Sequence, residues 1–458
     1  GTLSLLFVPP AEGGGMEISM INLNNYNFNK LNHVIYYEWY LDIRAGGPTG
    51  YLANLLDGLN RIENNTNPMI FFDTLPKQPP ALEPIISGNI KTIHDFFYKS
   101  EKRKSFYVNY ISRYQKQKYT EYSNFLKNID NMYCNPDLLK NININRTRTI
   151  HVHTVGDAVK LKNSLNSAGN RSTKIMLTCH TPEAPSDEYF KAYLEEGHNL
   201  DRATTIKNLW KCIEKRAFES ADILVFPSIE SMEPLSLTMD GFSELSKKKD
   251  IRFLPSGAKA LKSVLTKEQA KKKYGVEGKF VIGYVGRHNE IKGYDILKSA
   301  AERALKKDKN ICFLIGGSQG KTFNALNDVN WIEAGWVNPA DLFMALDAFV
   351  LPNRMTYFDL VLLEVMSMGI PIIASNTGGN KSVQNATNAL ALYNDIDDLV
   401  HTILNFKSKD AGELECISQN VYSAYMENYT PEIFATNYLN LINQIYDDYK
   451  FFKKGECL

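Results

Sequence analysis

Leu351-Pro352-Asn353-Arg354-Met355-Thr356-Tyr357-Phe358-Asp359-Leu360-Val361-Leu362-Leu363-Glu364-Val365-Met366-Ser367-Met368-Gly369-Ile370-Pro371-Ile372-Ile373-Ala374-Ser375, closed by Asn376-Thr377-Gly378-Gly379, reads as a βαβ unit. Ala348-Phe349-Val350-Leu351 is a short apolar run ended by proline, the pattern of a buried strand. Leu360 to Met368 repeats apolar residues at helical spacing, and Gly369-Ile370-Pro371 stops that helix before the strand Ile372-Ile373-Ala374. In such a unit the first loop and the helix start face the crevice at the carboxyl ends of the strands, where free N–H groups and the helix dipole suit a phosphate. Glu364 lies between Leu363 and Val365 in a largely apolar helix. An unpaired charge is costly there, so the position points to a ligand.

Upstream, Lys279-Phe280-Val281-Ile282-Gly283-Tyr284-Val285 is a strand pattern that delivers Gly286-Arg287 to the same crevice, and Lys292-Gly293 opens a helix five residues later. Two cations at one strand–helix junction suit a diphosphate, arginine through forked hydrogen bonds and lysine as a compact charge. Ile311 to Thr322 imitates a Walker A loop, but that motif needs glycine at Ile315, and Gly316 leaves the loop one residue short. The segment reads instead as a second strand with a glycine turn. Trp331 to Val337, then Asp341 to Leu346, give another strand and helix.

The N-terminal half shows Val34-Ile35-Tyr36-Tyr37 as a first strand, followed by Arg44-Ala45-Gly46-Gly47-Pro48-Thr49-Gly50 and a helix at Tyr51 to Leu59. The glycines allow close backbone approach to a ligand, yet the spacing is not that of a dinucleotide fingerprint. Thr149 to His153 and Lys174 to His180 are strands ending in histidine, and Ala221 to Ser228 is a third. The lysine-rich piece Lys259 to Lys273 fits a surface helix between two domains.

With 458 residues, 44% of them hydrophobic, the chain fills more than one core. Lys plus Arg is 52 against 51 for Asp plus Glu, so no global field recommends nucleic acid as a partner. The six cysteines form no C-x-x-C pair, which argues against a zinc site or a disulfide framework and fits a reducing cytoplasm. No run of 18 apolar residues exists in the sequence. Between Lys91 and Lys118 eight cations face only Asp95 and Glu101, with aromatics interleaved. That stretch suits peripheral contact with an anionic membrane or a charged acceptor lipid, or simply a solvated face.

Taken together, the Gly286-Arg287-x(4)-Lys292-Gly293 junction and the 351–379 segment resemble family 4 glycosyltransferases. The resemblance covers Ile150 to Leu404 well and Val34 to Gly50 loosely. It implies an α/β chain of GT-B architecture, two doubly wound Rossmann-like domains facing a cleft. Residues 1–15 are then a leader or extension, 16–256 the acceptor-side domain, 257–430 the donor domain, and 431–458 a helix crossing back to the first domain. The boundary follows Pro255-Ser256-Gly257, with Ser256 where the family has asparagine.

The implied reaction transfers a sugar from a nucleotide-diphosphate sugar, UDP-sugar favoured over GDP-sugar, to a glycan or lipid-linked acceptor hydroxyl with retention. It implies no cofactor and no metal, and a cytoplasmic location that extends to the inner face of the membrane. Arg287 and Lys292 would stabilise the leaving phosphate, Glu364 would hold the ribose hydroxyls, and the backbone of Phe358-Asp359-Leu360 would meet phosphate or sugar. Gly46, Gly47 and Gly286 would lie against the donor, and Val337 against its nucleobase. His180 would meet the transferred sugar, with His153 in the acceptor or sugar pocket. The family's first loop glutamate is replaced by Thr356, and Tyr357-Phe358-Asp359-Leu360 stands where Gly-Phe-Gly-Leu is usual. Asp359 would then either return a carboxylate to the pocket or cap the helix. A non-catalytic sugar-nucleotide-binding subunit and a sugar-nucleotide epimerase of the same fold are the alternatives.

Overall fold

The computed structural model describes residues 33–37, 47–62, 69–73, 129–134, 147–317 and 324–449. Gly46, the 1–15 segment, the basic aromatic stretch at 91–118 and residues 450–458 lie outside the described residues.

Six parallel strands form the first sheet: β1 (His33–Tyr37), β2 (Met69–Asp73), β3 (Thr149–Val152), β4 (Lys174–Leu177), β5 (Ile223–Phe226) and β6 (Asp250–Phe253), in the order β2-β1-β3-β4-β5-β6. The second sheet is also parallel. It holds β7 (Phe280–Val285), β8 (Ile311–Gly316), β9 (Trp331–Gly335), β10 (Ala348–Leu351), β11 (Ile372–Ser375) and β12 (Ala391–Tyr393), in the order β12-β11-β10-β7-β8-β9. Strands β3, β5, β8 and β10 are buried along their whole length. That burial is why β5, β8 and β10 read as continuous apolar runs, whereas β3 alternates and buries the polar Thr149 and His151 with hydrogen-bond partners.

In the second sheet β7 lies between β8 and β10, so the chain winds away in both directions from that pair. The crevice at the carboxyl ends of β7 and β10 is therefore the switch point at which doubly wound sheets bind ligands. The equivalent point in the first sheet lies between β1 and β3.

The last strand of the first sheet ends at Phe253 and the second sheet begins at Phe280, so the expected division at 256/257 falls in the connection. The helix Pro431–Asp448 returns to the first domain. Its Phe434, Tyr438, Leu441 and Ile445 share a core with Ile35, Tyr37, Leu52 and Leu55, and burying each such side chain contributes ~1.5–3 kcal/mol. Close packing there requires glycine at 58, where a Cβ would lie 1.9 Å from the Pro431 carbonyl oxygen.

Three local expectations change. The lysine-rich helix spans only Lys267–Tyr274, opened by a Thr266–Gln269 capping box. Before it, hydrogen bonds from Leu261 N–H to Ser367 Oγ and from Ser263 Oγ to Asp341 hold the backbone off the helix. The first helix is longer than expected, Gly47–Arg61, with Pro48 in its first turn. Strand β2 was not anticipated, although Met69-Ile70-Phe71-Phe72 is an apolar run bounded by Pro68 and Asp73.

Candidate functional site

At the β7/β10 switch point two loops are locked onto each other. Gly293 has φ of 67°, and a Cβ there would lie 1.7 Å from the Pro352 carbonyl oxygen, so only glycine fits. Arg354 N–H donates to the Ile291 carbonyl at 2.9 Å. This close approach brings Lys292 to the 353–359 loop. Lys292 Nζ lies 2.6 Å from Asp359 Oδ1, and Asn353 Nδ2 donates to Asp359 Oδ2 at 2.6 Å. Asn353 is buried, and its own Oδ1 has no partner among the described residues. Asp359 occupies the N-cap position of the helix Leu360–Met366 but makes no capping hydrogen bond. Both its oxygens are turned to the cation and the amide rather than to the N–H groups of the helix start.

Arg287 follows Gly286 at the end of β7, with its side chain 67% exposed. Its ion-pair contact is long and crosses to the first domain, 3.9 Å from Glu188 Oε1. Glu188 sits on the helix Pro185–Glu195. Burial pushes its carboxyl above the usual range, and Arg287 and Lys292 act in the opposite direction. Nothing in Pro185-Ser186-Asp187-Glu188 distinguishes it from a solvated acidic first turn, and sequence reasoning passed over it.

Glu364 lies one turn into its helix; its backbone carbonyl accepts from Ser367 Oγ at 2.6 Å, while its carboxylate makes no hydrogen bond or ion pair to any described residue. Burial lifts its carboxyl to about 7. The folded state then binds this proton more tightly than the unfolded chain, so the group favours folding below pH 4.5 and loses that contribution as pH rises through 7. Glu364→Gln is expected to raise unfolding free energy by about 2–3 kcal/mol at pH 8 and leave it unchanged at pH 4. Urea titrations at the two pH values check this, and an equal effect at both would mean the carboxyl is not held uncharged by burial.

Thr356 is fully buried, and its hydroxyl has no partner among the described residues. Added Cβ atoms on Gly378 and Gly379 would lie 1.9 Å from the Thr356 carbonyl oxygen and 2.5 Å from that of Tyr357, so the Gly-Gly turn lies directly on this loop. The side chain of Thr356 consequently offers a donor no accessible surface in this conformation. Tyr357 reaches into the first domain, its ring 6.1 Å from His180 and its hydroxyl 3.5 Å from the Val225 carbonyl. Phe358 packs against Tyr429 instead. Leu360 and Val337 are half-buried, and beside Val337 the indole of Trp336 is 85% exposed just past the end of β9. A second bridge joins the domains where Glu233 Oε2 accepts from Gly378 N–H and pairs with Lys381 at 2.8 Å.

On the first-domain wall, His153 Nδ1 and His180 Nε2 are 3.0 Å apart. Behind them, His151 bonds Tyr438 and Thr178, each at 2.8 Å, and His33 bonds Thr149 and Tyr438. Burial pushes His33 and His180 down to about 3 and holds His151 and His153 well below the usual range. All four are therefore neutral. His180 is the one with partial exposure, and the Tyr51 ring stands 4.6 Å from it. Gly47, with φ of 54°, opens the helix that carries Tyr51.

Known proteins resemble this chain in part. Residues 279–408, which contain Arg287, Lys292, Asp359 and Glu364, match the family described as Glycosyl transferases group 1. Among solved structures, Anabaena HepE in complex with UDP-glucose aligns over 90% of this chain and 99% of its own, with a TM-score of 0.52 at 13% identity. The chain has the GT-B fold. HepE in complex with UDP and glucose gives a TM-score of 0.51 at 14% identity over the same 90% of this chain and 99% of that one. An uncharacterized 41.2 kDa protein in the cps region of Klebsiella pneumoniae is 29% identical over 168 residues, 34% of this chain and 47% of that protein. The D-inositol 3-phosphate glycosyltransferase of Corynebacterium jeikeium is 27% identical over 188 residues, 36% of this chain and 44% of that protein. The matched stretch spans less than half the length of each of these curated relatives. Within the GT-B fold, the cations and Glu364 belong to the second domain, and the histidines and Glu188 to the first.

Proposed function

We propose that this protein is a retaining glycosyltransferase that moves a sugar from a nucleotide-diphosphate sugar to a hydroxyl of a glycan or lipid-linked acceptor. The observation that carries the reading is the Lys292–Asp359–Asn353 set beside Arg287 at the switch point of a domain that matches Glycosyl transferases group 1. Breaking the bond to the β-phosphate adds negative charge to a diphosphate that is already dianionic, and fixed cations stabilise that added charge more than they stabilise the ground state. Arg287 and Lys292 supply them, and protein cations then fill the role a metal has elsewhere. Glu364, unpaired and held near neutral pH, accepts hydrogen bonds from the ribose hydroxyls. His180 and Gly47 line the sugar side. A UDP-sugar donor is favoured by the likeness to HepE, whose structures hold UDP-glucose or UDP and glucose. Among the described residues no helix is long and apolar enough to cross a membrane; a cytoplasmic protein with peripheral membrane contact is part of this proposal.

Donor hydrolysis over a panel of UDP-, GDP- and ADP-sugars tests the reading. Release of nucleoside diphosphate and free sugar supports a transferase, an altered sugar nucleotide indicates an epimerase, and binding without turnover indicates a non-catalytic subunit. Asp359→Asn adds a sharper check. Asn keeps the shape but loses the charge that aims Lys292, and a misplacement of about 1 Å in such a group costs ~10²-fold. Turnover is expected to fall by that order with little change in melting temperature. A large fall in melting temperature with turnover intact at saturating donor would assign Asp359 to stability alone.

A further inference from the structure

We propose that Glu188 is a catalytic carboxylate of the first domain, binding the acceptor hydroxyl and taking its proton on the leaving-group side of the transferred sugar. The inference rests on the retaining transfer proposed above. Glu188 is carried by the helix Pro185–Glu195, which follows β4 through His180-Thr181-Pro182. It thus stands at the carboxyl edge of the first sheet, near the histidine end of the wall and opposite the cations of the second domain.

Its surroundings separate it from the other carboxylates nearby. Glu183 is paired with Lys191, Asp187 with Lys207, and Glu214 accepts from both the backbone and hydroxyl of Ser186. Among the described residues the Glu188 side chain has no hydrogen-bond partner, and its ion pair is the 3.9 Å approach to Arg287. That separation is too long for a hydrogen bond. The side chain is 37% exposed, so it borders open space between the domains. The charged groups that act on it are Arg287 and Lys292 from the second domain, with Glu183 and Lys191 from its own segment.

The position of Glu188 suits the retention proposed above. A base for an inverting transfer must stand on the face of the sugar opposite the departing phosphate. A carboxylate 3.9 Å from the cation that receives the phosphate stands on the same face, where a retaining transfer admits the acceptor. In the step, the C1–oxygen bond to the β-phosphate breaks and its electron pair stays on the phosphate oxygen, held by Arg287 and Lys292. The acceptor oxygen forms the new bond to C1, and its proton passes to the Glu188 carboxylate. With water as acceptor the same step is donor hydrolysis, so the test needs no knowledge of the natural acceptor.

The experiment follows hydrolysis of whichever sugar nucleotide of the UDP-, GDP- and ADP-sugar panel the wild type consumes, with calorimetry of the corresponding nucleoside diphosphate. Glu188→Gln is expected to lower hydrolysis by ~10²-fold or more, to abolish the acid limb of the pH profile, and to bind the nucleoside diphosphate as tightly as wild type or tighter. Formate is expected to restore part of the rate to Glu188→Ala. Wild-type hydrolysis by Glu188→Gln overturns this inference alone. So does a slow Glu188→Ala that formate does not rescue, if nucleotide binding is weakened as well, since that marks a structural role. Absence of turnover in the wild type with every donor overturns the transferase reading and this inference together.

Discussion

Acidification from pH 7 to pH 4.5 is expected to unfold the first domain, with the loss beginning below pH 6.5. His33 and His180 titrate at about 3 in the folded chain against a usual 6.5. A base with a depressed folded pKa leaves stability intact above 6.5. Below it, the unfolded chain takes up protons that the folded chain refuses until about pH 3. By pH 4.5 each of these two groups has cost about 2–3 kcal/mol, roughly 5 kcal/mol together, against a typical total stability of about 5–15 kcal/mol. His151 and His153 are shifted in the same direction and add to the loss. Glu183, Glu188 and Glu214 in the same domain have raised carboxyls and act in the opposite sense. Burial is the leading cause for all seven groups, but each glutamate has a serine, lysine or arginine beside it that limits its shift, and no such opposing partner acts on the histidines. Circular dichroism against pH measures the transition, and the imidazole C2 proton resonances are expected to stay neutral until it occurs. Imidazoles that titrate near 6.5 in a folded spectrum would show that the histidines are not sealed from water.

Lys292→Ala is expected to reduce turnover by ~10²- to 10³-fold, the range for removing one preorganised charge stabiliser. Two effects combine. The leaving phosphate loses a cation, and Asp359, whose Oδ1 is 2.6 Å from Lys292 Nζ, is left with an unpaired negative charge in the same place. The double variant Lys292→Ala with Asp359→Asn separates them, because it removes the repulsive carboxylate while leaving the cation missing. Arg287→Ala is expected to cost ~10²-fold with a smaller effect on stability, since its side chain is 67% exposed and tied by one long ion pair. Single-turnover rates with saturating donor, alongside melting temperatures, check all three variants. Folded single variants that both turn over at near-native rates would withdraw the diphosphate role from this junction.

The local signals carried a good deal. Short, mostly apolar runs placed β4, β5, β7, β8, β10 and β11, because a strand buried on both faces is apolar at nearly every position, and β3 was placed by Ile150 and Val152 between its polar residues. The Gly286-Arg287 and Lys292-Gly293 pairs were legible as two cations at one strand–helix junction, and Gly293 stands where a positive φ and a close backbone approach admit glycine and little else. Glu364 was legible because a carboxylate in an apolar helix is conspicuous.

What only the tertiary structure decided is which groups meet. The sequence left Asp359 open between a pocket carboxylate and a helix cap. Its partner Lys292 lies 67 residues away and arrives only because β10 pairs with β7. Glu188 carries no local mark, and it matters because the first domain turns its β4 edge toward Arg287, 99 positions later in the chain. His33 and Tyr438, 405 residues apart, meet because the last helix crosses back over β1. Strand and turn formation are governed by the chemistry of adjacent residues, which a sequence displays directly. The charge environment of a site is set by strand order and domain contact, which bring together residues that share no neighbourhood in the chain.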